Sequence, residues 1–242
     1  MRPEGMSGMS PLILALDTDD LDSARRVAAV VAGSVSVVKI GLQLFTACGP
    51  AAVRALKSDG FEVFLDLKMS DIPNTVSSAC LAACPFEPLM MTLHTMGGQE
   101  MMRCAAAAVR EGCSEKGARP PALIGVTVLT SLDLLALKKI GVSNSVEDEV
   151  LKLARLGADS GLDGLVASPL EVKRVRNAIG DEAIIVAPGV RPVGAAPDDQ
   201  KRVASFGDAI RWGADFVVVG RPLMNADDPA GAAKKILEEA SA

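Results

Sequence analysis

Residues 61–75 read FEVFLDLKMSDIPNT, a hydrophobic run that gives way to charges and then to a chain-breaking Pro-Asn pair. The run is typical of a buried strand, and the breaker predicts a turn. Because strand side chains alternate between two faces, Asp66 and Lys68 share one face with Phe64. Such a charged pair inside an apolar interior is either an ion pair that serves the fold alone or part of a functional site.

Seven further apolar runs lie along the chain, and helical patterns separate them. We predict strands at 12–16, 35–40, 61–68, 88–93, 122–128, 164–166, 183–187 and 216–219. We predict helices at 21–31, 50–58, 74–84, 146–160, 169–179 and 229–240. A further helix follows Gly97-Gly98 and ends near residue 112, and a short one lies within 129–145.

Alternating strands and helices with no break in composition predict parallel βαβ units. Eight of them in 242 residues favour a single (β/α)8 TIM barrel over residues 11–242, preceded by a flexible tail at 1–10. A doubly wound open sheet is the alternative. It is weakened because no Gly-x-Gly-x-x-Gly follows the first strand.

The composition limits the partners and the compartment. About half of the residues are hydrophobic and the net charge is −5, so we expect no nucleic acid or anionic membrane as partner. The N-terminus has no signal-peptide pattern, and no apolar run is long enough for a membrane span. The five cysteines form no Cys-x-x-Cys pair, which predicts reduced thiols in the cytoplasm. Because the chain has one histidine and no zinc-ligand spacing, we expect no zinc site.

In a (β/α)8 barrel the catalytic groups lie at the carboxyl ends of the strands. Polar residues collect at those positions in this sequence. They are Asp17, Lys39, Asp66, Lys68, Thr127, Thr130, Gly189, Arg191, Gly220 and Arg221. Their gathering at one rim favours a functional site over an isolated structural ion pair.

The charged members form a candidate array of carboxylates and ammonium groups, with Asp71 close by in sequence. Interleaved opposite charges relieve the repulsion between like charges. The ammonium of Lys68 could stabilise a developing carbanion and then deliver a proton. A carboxylate cluster could instead hold Mg²⁺, but the ammonium of Lys39 would repel the metal ion.

The end of the barrel carries a candidate phosphate site. The loops after the last two strands often bind phosphate, and Arg221 offers a bidentate guanidinium. Residues 192–200 are rich in Gly, Ala, Pro and Asp and predict a mobile lid. Gln200 would reach a ligand when this lid closes.

The stretch Asp66 to Thr75 resembles the D-x-K-x-x-D-I-P-N-T signature of the orotidine 5′-phosphate decarboxylases. Other blocks match this family in order and spacing over nearly the whole chain. They are LALD at 14–17, VKIG at 38–41, GVTVLTS at 125–131, APGVRP at 187–192, DQ at 199–200 and VGRP at 219–222. The resemblance implies a (β/α)8 barrel that forms uridine 5′-phosphate in the last step of UMP biosynthesis.

The resemblance also implies a role for each matching residue. Lys68 would protonate C6 as carbon dioxide leaves, within a charge network completed by Asp66 and Lys39. The substrate would be held at the ribose by Asp17, at the pyrimidine by Thr130, and at the phosphate by Arg191, Gln200, Gly220 and Arg221. The active sites would be shared in a homodimer, so Asp71, Ile72 and Thr75 would enter the partner's site. No metal or cofactor would be required.

One departure from the family pattern is Met69-Ser70, where many members have an aromatic or aliphatic residue and then His. We interpret it as a packing variation, because neither position is expected to be catalytic. His94, the single histidine, follows the fourth strand, where we expect a structural hydrogen bond. If the site used a histidine as general base, it would have to be this one.

Two alternative functions remain open from the sequence. One is a metal-dependent enzyme similar to keto-gulonate-phosphate decarboxylase or hexulose-phosphate synthase, in which an acidic metal ligand stands where this chain has Lys39. The other is a catalytically silent barrel that binds nucleotides or another protein. Such a protein could lose Lys68 without harm to its fold, yet the charged residues are all present.

Overall fold

A computed structural model of the chain describes residue 6 and residues 8–115, 117–190 and 204–241. Eight parallel strands form a closed barrel in chain order, and the last strand pairs with the first. The strands are β1 (Leu12–Ala15), β2 (Val37–Gly41), β3 (Glu62–Met69), β4 (Met90–His94), β5 (Ala122–Val126), β6 (Gly164–Val166), β7 (Ile184–Pro188) and β8 (Phe216–Val219). The predicted (β/α)8 barrel is confirmed, and the doubly wound alternative is wrong because its sheet would have two open edges.

Helices surround the barrel on its outer side. They are α1 (Leu21–Val31), α2 (Leu42–Cys48), α3 (Pro50–Ser58), α4 (Pro73–Ala83), α5 (Gln99–Glu115), α6 (Leu134–Lys139), α7 (Val146–Asp159), α8 (Val172–Ile179), α9 (Phe206–Arg211), α10 (Arg221–Met224) and α11 (Pro229–Ser241). Short 3₁₀ turns occur at Cys84–Phe86, Thr95–Gly97 and Pro169–Glu171. Within the described parts of the chain, none of the helices is both long enough and apolar enough to cross a membrane.

Local sequence signals explain several helix ends. Asp20 caps α1 by accepting a hydrogen bond from the backbone N–H of Asp22, so the side-chain oxygen satisfies an amide that lacks a partner within the helix. Pro50 and Pro73 each begin a helix, where a missing N–H costs nothing. The predicted helix at 169–179 is instead a 3₁₀ turn followed by α8, and α2, α9 and α10 were not predicted.

The strands separate two apolar layers. Phe64, Met90 and Phe216 belong to a cluster inside the barrel. Leu65, the neighbour of Phe64, belongs instead to the larger cluster between the sheet and the helices. Met6 and Met9, which precede β1, also pack against the inner cluster. Because the inner layer is apolar, we expect the polar side chains of a functional site at the mouth of the barrel, at the carboxyl ends of the strands.

The structure corrects one prediction about the cysteines. Cys84 and Cys113 form a disulfide with their Cα atoms 6.3 Å apart, although 29 positions separate them in sequence. The sequence does not show that α4 and α5 pack together, which brings the thiols after α4 and near the end of α5 into contact. Cys48, Cys80 and Cys104 are free, and burial raises the pKa of the Cys80 thiol to about 11.

Candidate active site

A cavity of about 330 Å³ opens at the carboxyl ends of the strands, where the barrel prediction placed the site. Most of the predicted site residues line it. They are Asp17, Lys39, Asp66, Lys68, Thr130, Gly189, Gly220 and Arg221. Thr127 does not line it: its buried hydroxyl donates a hydrogen bond to the carbonyl of Val166. The remaining wall is largely apolar and comes mostly from the ends of β5 to β8, with Ala15 of β1 and Phe64 of β3. The cavity therefore combines a charged side with an apolar one.

The end of β3 presents Asp66 and Lys68 to this cavity. The two side chains share a face, as predicted, and Lys68 Nζ donates a hydrogen bond of 2.7 Å to Asp66 Oδ2. The strand is irregular here, because its pairing with β4 shifts register between Leu65 and Met69. Lys68 itself has φ of +51°, a left-handed conformation that is uncommon for any residue other than glycine.

Lys39 connects Asp66 to Asp17 across two neighbouring strands. It pairs in register with Ala15 of β1 and Phe64 of β3, so its side chain reaches the same mouth of the barrel. Its Nζ lies 3.5 Å from Asp17 Oδ1 and 3.4 Å from Asp66 Oδ2. The order Asp17, Lys39, Asp66, Lys68 therefore alternates in charge, as the sequence predicted.

Asp66 is the buried centre of the array. Burial by itself would raise the pKa of this carboxyl group, but the charges of Lys39 and Lys68 lower it. Hydrogen bonds from Lys68 and Thr92 lower it further, so the net pKa lies below its ordinary value. Asp66 is consequently ionised at neutral pH, and two ammonium groups converge on one of its oxygens.

Two glycines make room for the charged groups. A Cβ at residue 41 would lie 2.9 Å from Lys39 Nζ, and a Cβ at residue 220 would lie 3.0 Å from Asp17 Oδ2. Both distances are shorter than ordinary contacts of a methyl group. Gly41 and Gly220 therefore keep the space that the side chains of Lys39 and Asp17 occupy.

The candidate phosphate side of the cavity is formed by the ends of β7 and β8. Gly189 follows β7 with φ of +81°, a turn that favours glycine. Gly220 and Arg221 follow β8 directly, and the Arg221 side chain is exposed at the mouth. Arg191, Gln200 and the predicted lid at 192–200 lie outside the described residues.

Asp71, Ile72 and Thr75 do not line the cavity of their own chain. All three are exposed, in and just after the turn that leads from β3 into α4. Asp71 Oδ1 accepts a hydrogen bond of 2.6 Å from the backbone N–H of Ile72, and Ile72 is 67% exposed. The structure thus leaves an apolar side chain and a carboxylate on the surface beside the site.

The unusual Met69-Ser70 pair follows Lys68. Met69 packs against the outer apolar cluster, and its sulfur accepts a hydrogen bond from the Cys80 thiol, which agrees with a packing role. His94 is half-buried at the end of β4. Burial and the positive charge of Lys68 lower its pKa, while Asp66 acts in the opposite sense, so His94 is neutral at pH 7.

Sequence reasoning missed Ser168 and Thr92. Ser168 is buried at the end of β6 and lines the cavity, and its place after a strand was a usable signal. Thr92 is fully buried within β4 and contacts both Asp66 and Lys68, for which the sequence offers no local sign. Among the residues described, no three His, Cys, Asp or Glu side chains group as metal ligands would.

The chain is similar to known proteins in both sequence and fold. Residues 10–236 match the model of the orotidine 5′-phosphate decarboxylase / HUMPS family. The chain is 48% identical over 231 residues to the orotidine 5′-phosphate decarboxylase of Syntrophotalea carbinolica, covering 96% of this chain and 95% of that protein. It is 44% identical over 235 residues to that of Moorella thermoacetica, covering 97% and 93%. The crystal structure of orotidine 5′-phosphate decarboxylase from Lactobacillus acidophilus superposes with a TM-score of 0.83 at 35% identity, covering 96% of this chain and all of that one.

Proposed function

We propose, since the chain belongs to the orotidine 5′-phosphate decarboxylase / HUMPS family, that it converts orotidine 5′-phosphate to uridine 5′-phosphate and carbon dioxide in pyrimidine biosynthesis. We further propose that the reaction uses neither a metal ion nor an organic cofactor. The observation that carries the mechanism is the convergence of two ammonium groups on Asp66 Oδ2. Lys68 Nζ lies 2.7 Å from this oxygen and Lys39 Nζ lies 3.4 Å from it.

The chemical step follows from what the array can stabilise. The bond between C6 of the pyrimidine and its carboxylate carbon breaks, carbon dioxide leaves, and the electron pair remains on C6. This carbanion lies in the ring plane and has no ordinary π-acceptor, so a preorganised positive charge must stabilise it. Lys68 supplies that charge and gives its proton to C6. It then regains a proton from solvent, to which its side chain is 31% exposed.

Lys39 is the residue that favours this chemistry over a metal-dependent reaction. Its ammonium lies within 3.5 Å of both Asp17 and Asp66, the two carboxylates that would have to coordinate a metal ion here. A divalent ion between them would meet the repulsion of a fixed positive charge. Lys39 thus neutralises the carboxylates in the way that a metal would in the related enzymes.

The remaining residues bind the substrate in this proposal. Asp17 holds the ribose hydroxyls and Thr130 the pyrimidine, and both line the cavity. Gly220 and Arg221 hold the phosphate, together with Arg191 and Gln200. Asp71, Ile72 and Thr75 complete the site of a second subunit in a homodimer. The exposure of Ile72 supports this assignment, since a large apolar side chain at the rim gains by burial.

An ultraviolet assay of the purified protein tests the proposal. Orotidine 5′-phosphate and uridine 5′-phosphate differ in absorbance, so turnover is followed directly, with and without EDTA. We expect equal rates in both conditions. Rates that fall in EDTA and recover with Mg²⁺ would contradict the metal-independent mechanism. No turnover in either condition would contradict the proposed reaction and favour one of the two alternatives, the sugar-phosphate enzyme or the silent barrel. Lys68→Ala is the control for contaminating activity.

A further inference from the structure

Thr92 lies at the point where β4 meets the irregular end of β3. Leu65 pairs with Met91 and Met69 pairs with Leu93, so three residues of β3 face a single residue of β4. That single residue is Thr92, which is fully buried. A bulge of this kind redirects side chains and needs partners for the backbone groups that leave the ladder.

The hydroxyl of Thr92 makes two hydrogen bonds, one to each member of the charged pair. It accepts a bond of 2.9 Å from the backbone N–H of Lys68. It donates a bond of 2.9 Å to Asp66 Oδ1. The other oxygen of that carboxylate, Oδ2, is the one that the two ammonium groups approach. One hydroxyl therefore fixes the rotation of the carboxylate and the backbone from which the Lys68 side chain leaves.

The hydrogen bond from the backbone N–H of Lys68 to Thr92 matters because of the backbone conformation of Lys68. With φ of +51°, Lys68 has a backbone that side-chain-bearing residues rarely adopt, so surrounding contacts have to hold it. The N–H that Thr92 accepts belongs to this same residue. Without that acceptor, the peptide before Lys68 could rotate and carry the ammonium away from the reacting carbon.

We propose that Thr92 is a positioning residue for the decarboxylation, and that it acts through its hydroxyl by setting the geometry of Asp66 and Lys68. The inference rests on the proposed function. Thr92 does not line the cavity and touches no substrate in this scheme. Its effect is on the rate of the chemical step, because small displacements of a proton donor lower the rate more than they weaken binding.

Two pairs of variants test the role of the hydroxyl. Valine replaces the hydroxyl of threonine with a methyl group of nearly the same size, and alanine is serine without its hydroxyl, so both pairs test the hydroxyl. We expect Thr92→Val to lower kcat about 100-fold with KM changed by less than about threefold, and Thr92→Ser to keep kcat within about fivefold. The kcat of Thr92→Ser divided by that of Thr92→Ala should equal the kcat of the wild type divided by that of Thr92→Val. This second pair gives the answer even if Thr92→Val does not fold.

A packing role predicts the opposite order. If Thr92 only filled space, Thr92→Val would keep full activity, whereas Thr92→Ser and, to a greater extent, Thr92→Ala would lose activity because each leaves a cavity. That result would overturn the inference. A Thr92→Val variant with a raised KM and an unchanged kcat would overturn it as well. The acid limb of the pH profile is a further readout. It should move to higher pH in Thr92→Val but not in Thr92→Ser, because only valine removes a hydrogen bond to the Asp66 carboxylate.

The wild-type assay separates this inference from the proposed function. A wild-type protein that does not decarboxylate orotidine 5′-phosphate overturns both. An active wild type with equally active Thr92→Val and Thr92→Ala overturns the positioning role alone. Circular dichroism and thermal unfolding of every variant establish that the comparison is made between folded proteins.

Discussion

Gly41 leaves open the space that the ammonium group of Lys39 occupies, since a Cβ at residue 41 would lie 2.9 Å from Lys39 Nζ. The backbone φ of Gly41 is −92°, so alanine is allowed there. We expect Gly41→Ala to change the free energy of unfolding by about 1 kcal/mol or less, because a flexible lysine end can move. The displaced ammonium should lower kcat/KM about 10- to 100-fold.

Gly33→Ala is the matched control, because a Cβ at that residue would meet no atom within 4 Å. Steady-state kinetics and urea unfolding of both variants provide the comparison. If Gly41→Ala has the kcat/KM of Gly33→Ala, the position of the Lys39 ammonium is not important for the reaction.

Replacement of Lys68 should distinguish the role of its ammonium group in catalysis from the effect of its left-handed backbone on stability. Both Lys68→Ala and Lys68→Gly should lower kcat by at least about 10³-fold, because neither supplies a proton. We expect Lys68→Gly to be the more stable of the two by about 1 kcal/mol, since φ of +51° is strained for alanine and not for glycine. Denaturant unfolding measures this difference.

Lys152, within α7, provides the control for this pair of substitutions. In a helix, alanine is favoured over glycine by about 1 kcal/mol, so Lys152→Ala should be more stable than Lys152→Gly. The order of stability is therefore expected to reverse between the two sites. The same order at both would mean that residue 68 is not left-handed in solution.

Arg221 should matter only for a phosphorylated substrate. We expect Arg221→Ala to lower kcat/KM for orotidine 5′-phosphate about 10- to 100-fold, the usual effect of losing one or two charge-assisted hydrogen bonds. With orotidine, which lacks the phosphate, the change should be less than about threefold. Arg174→Ala removes an exposed ion pair with Glu147 and serves as a control for loss of charge. Equal losses with the two substrates would place the phosphate elsewhere.

A shared site in a homodimer can be tested by mixing two inactive variants. Lys68→Ala removes a residue from its own subunit's site, and Asp71→Ala removes one from the partner's site. A mixed dimer then contains one intact site and one doubly altered site. Random exchange makes about half of the dimers mixed, so about a quarter of the wild-type activity should return. Activity that stays at the level of the separate variants would mean that Asp71 and Lys68 of one and the same subunit serve one site, or that no dimer forms.

The barrel and many of the residues that line its cavity were predictable because both depend on local pattern. Short apolar runs identified the strands, and the polar residues at their ends identified Asp17, Lys39 and Lys68. Helix α2 was missed because it is short and one of its leucines, Leu42, is exposed, which obscures its periodicity. The start of α9 did carry a signal, since Ser205 caps it by accepting a hydrogen bond from the backbone N–H of Asp208.

Features that depend on tertiary packing were not predictable. Nothing near residue 68 indicates a left-handed backbone, because the usual sign is a glycine and the chain has a lysine there. The contact between Thr92 and Asp66 joins two strands across a register shift, and no local pattern encodes it. The disulfide between Cys84 and Cys113 likewise requires knowing which helices pack together.

The pairing of β1 with β8 brings together groups from near the two ends of the chain. Asp17 follows the first strand and Gly220 follows the last, yet a Cβ at Gly220 would nearly touch the Asp17 carboxylate. Contacts between such distant residues form late in folding, because a long loop must close first. A chain still on the ribosome therefore holds no finished cavity until β8 has emerged and joined β1. Because residues near the ends of both β1 and β8 line the cavity, a ligand that binds there stabilises the completed barrel over chains in which these two strands are not yet paired.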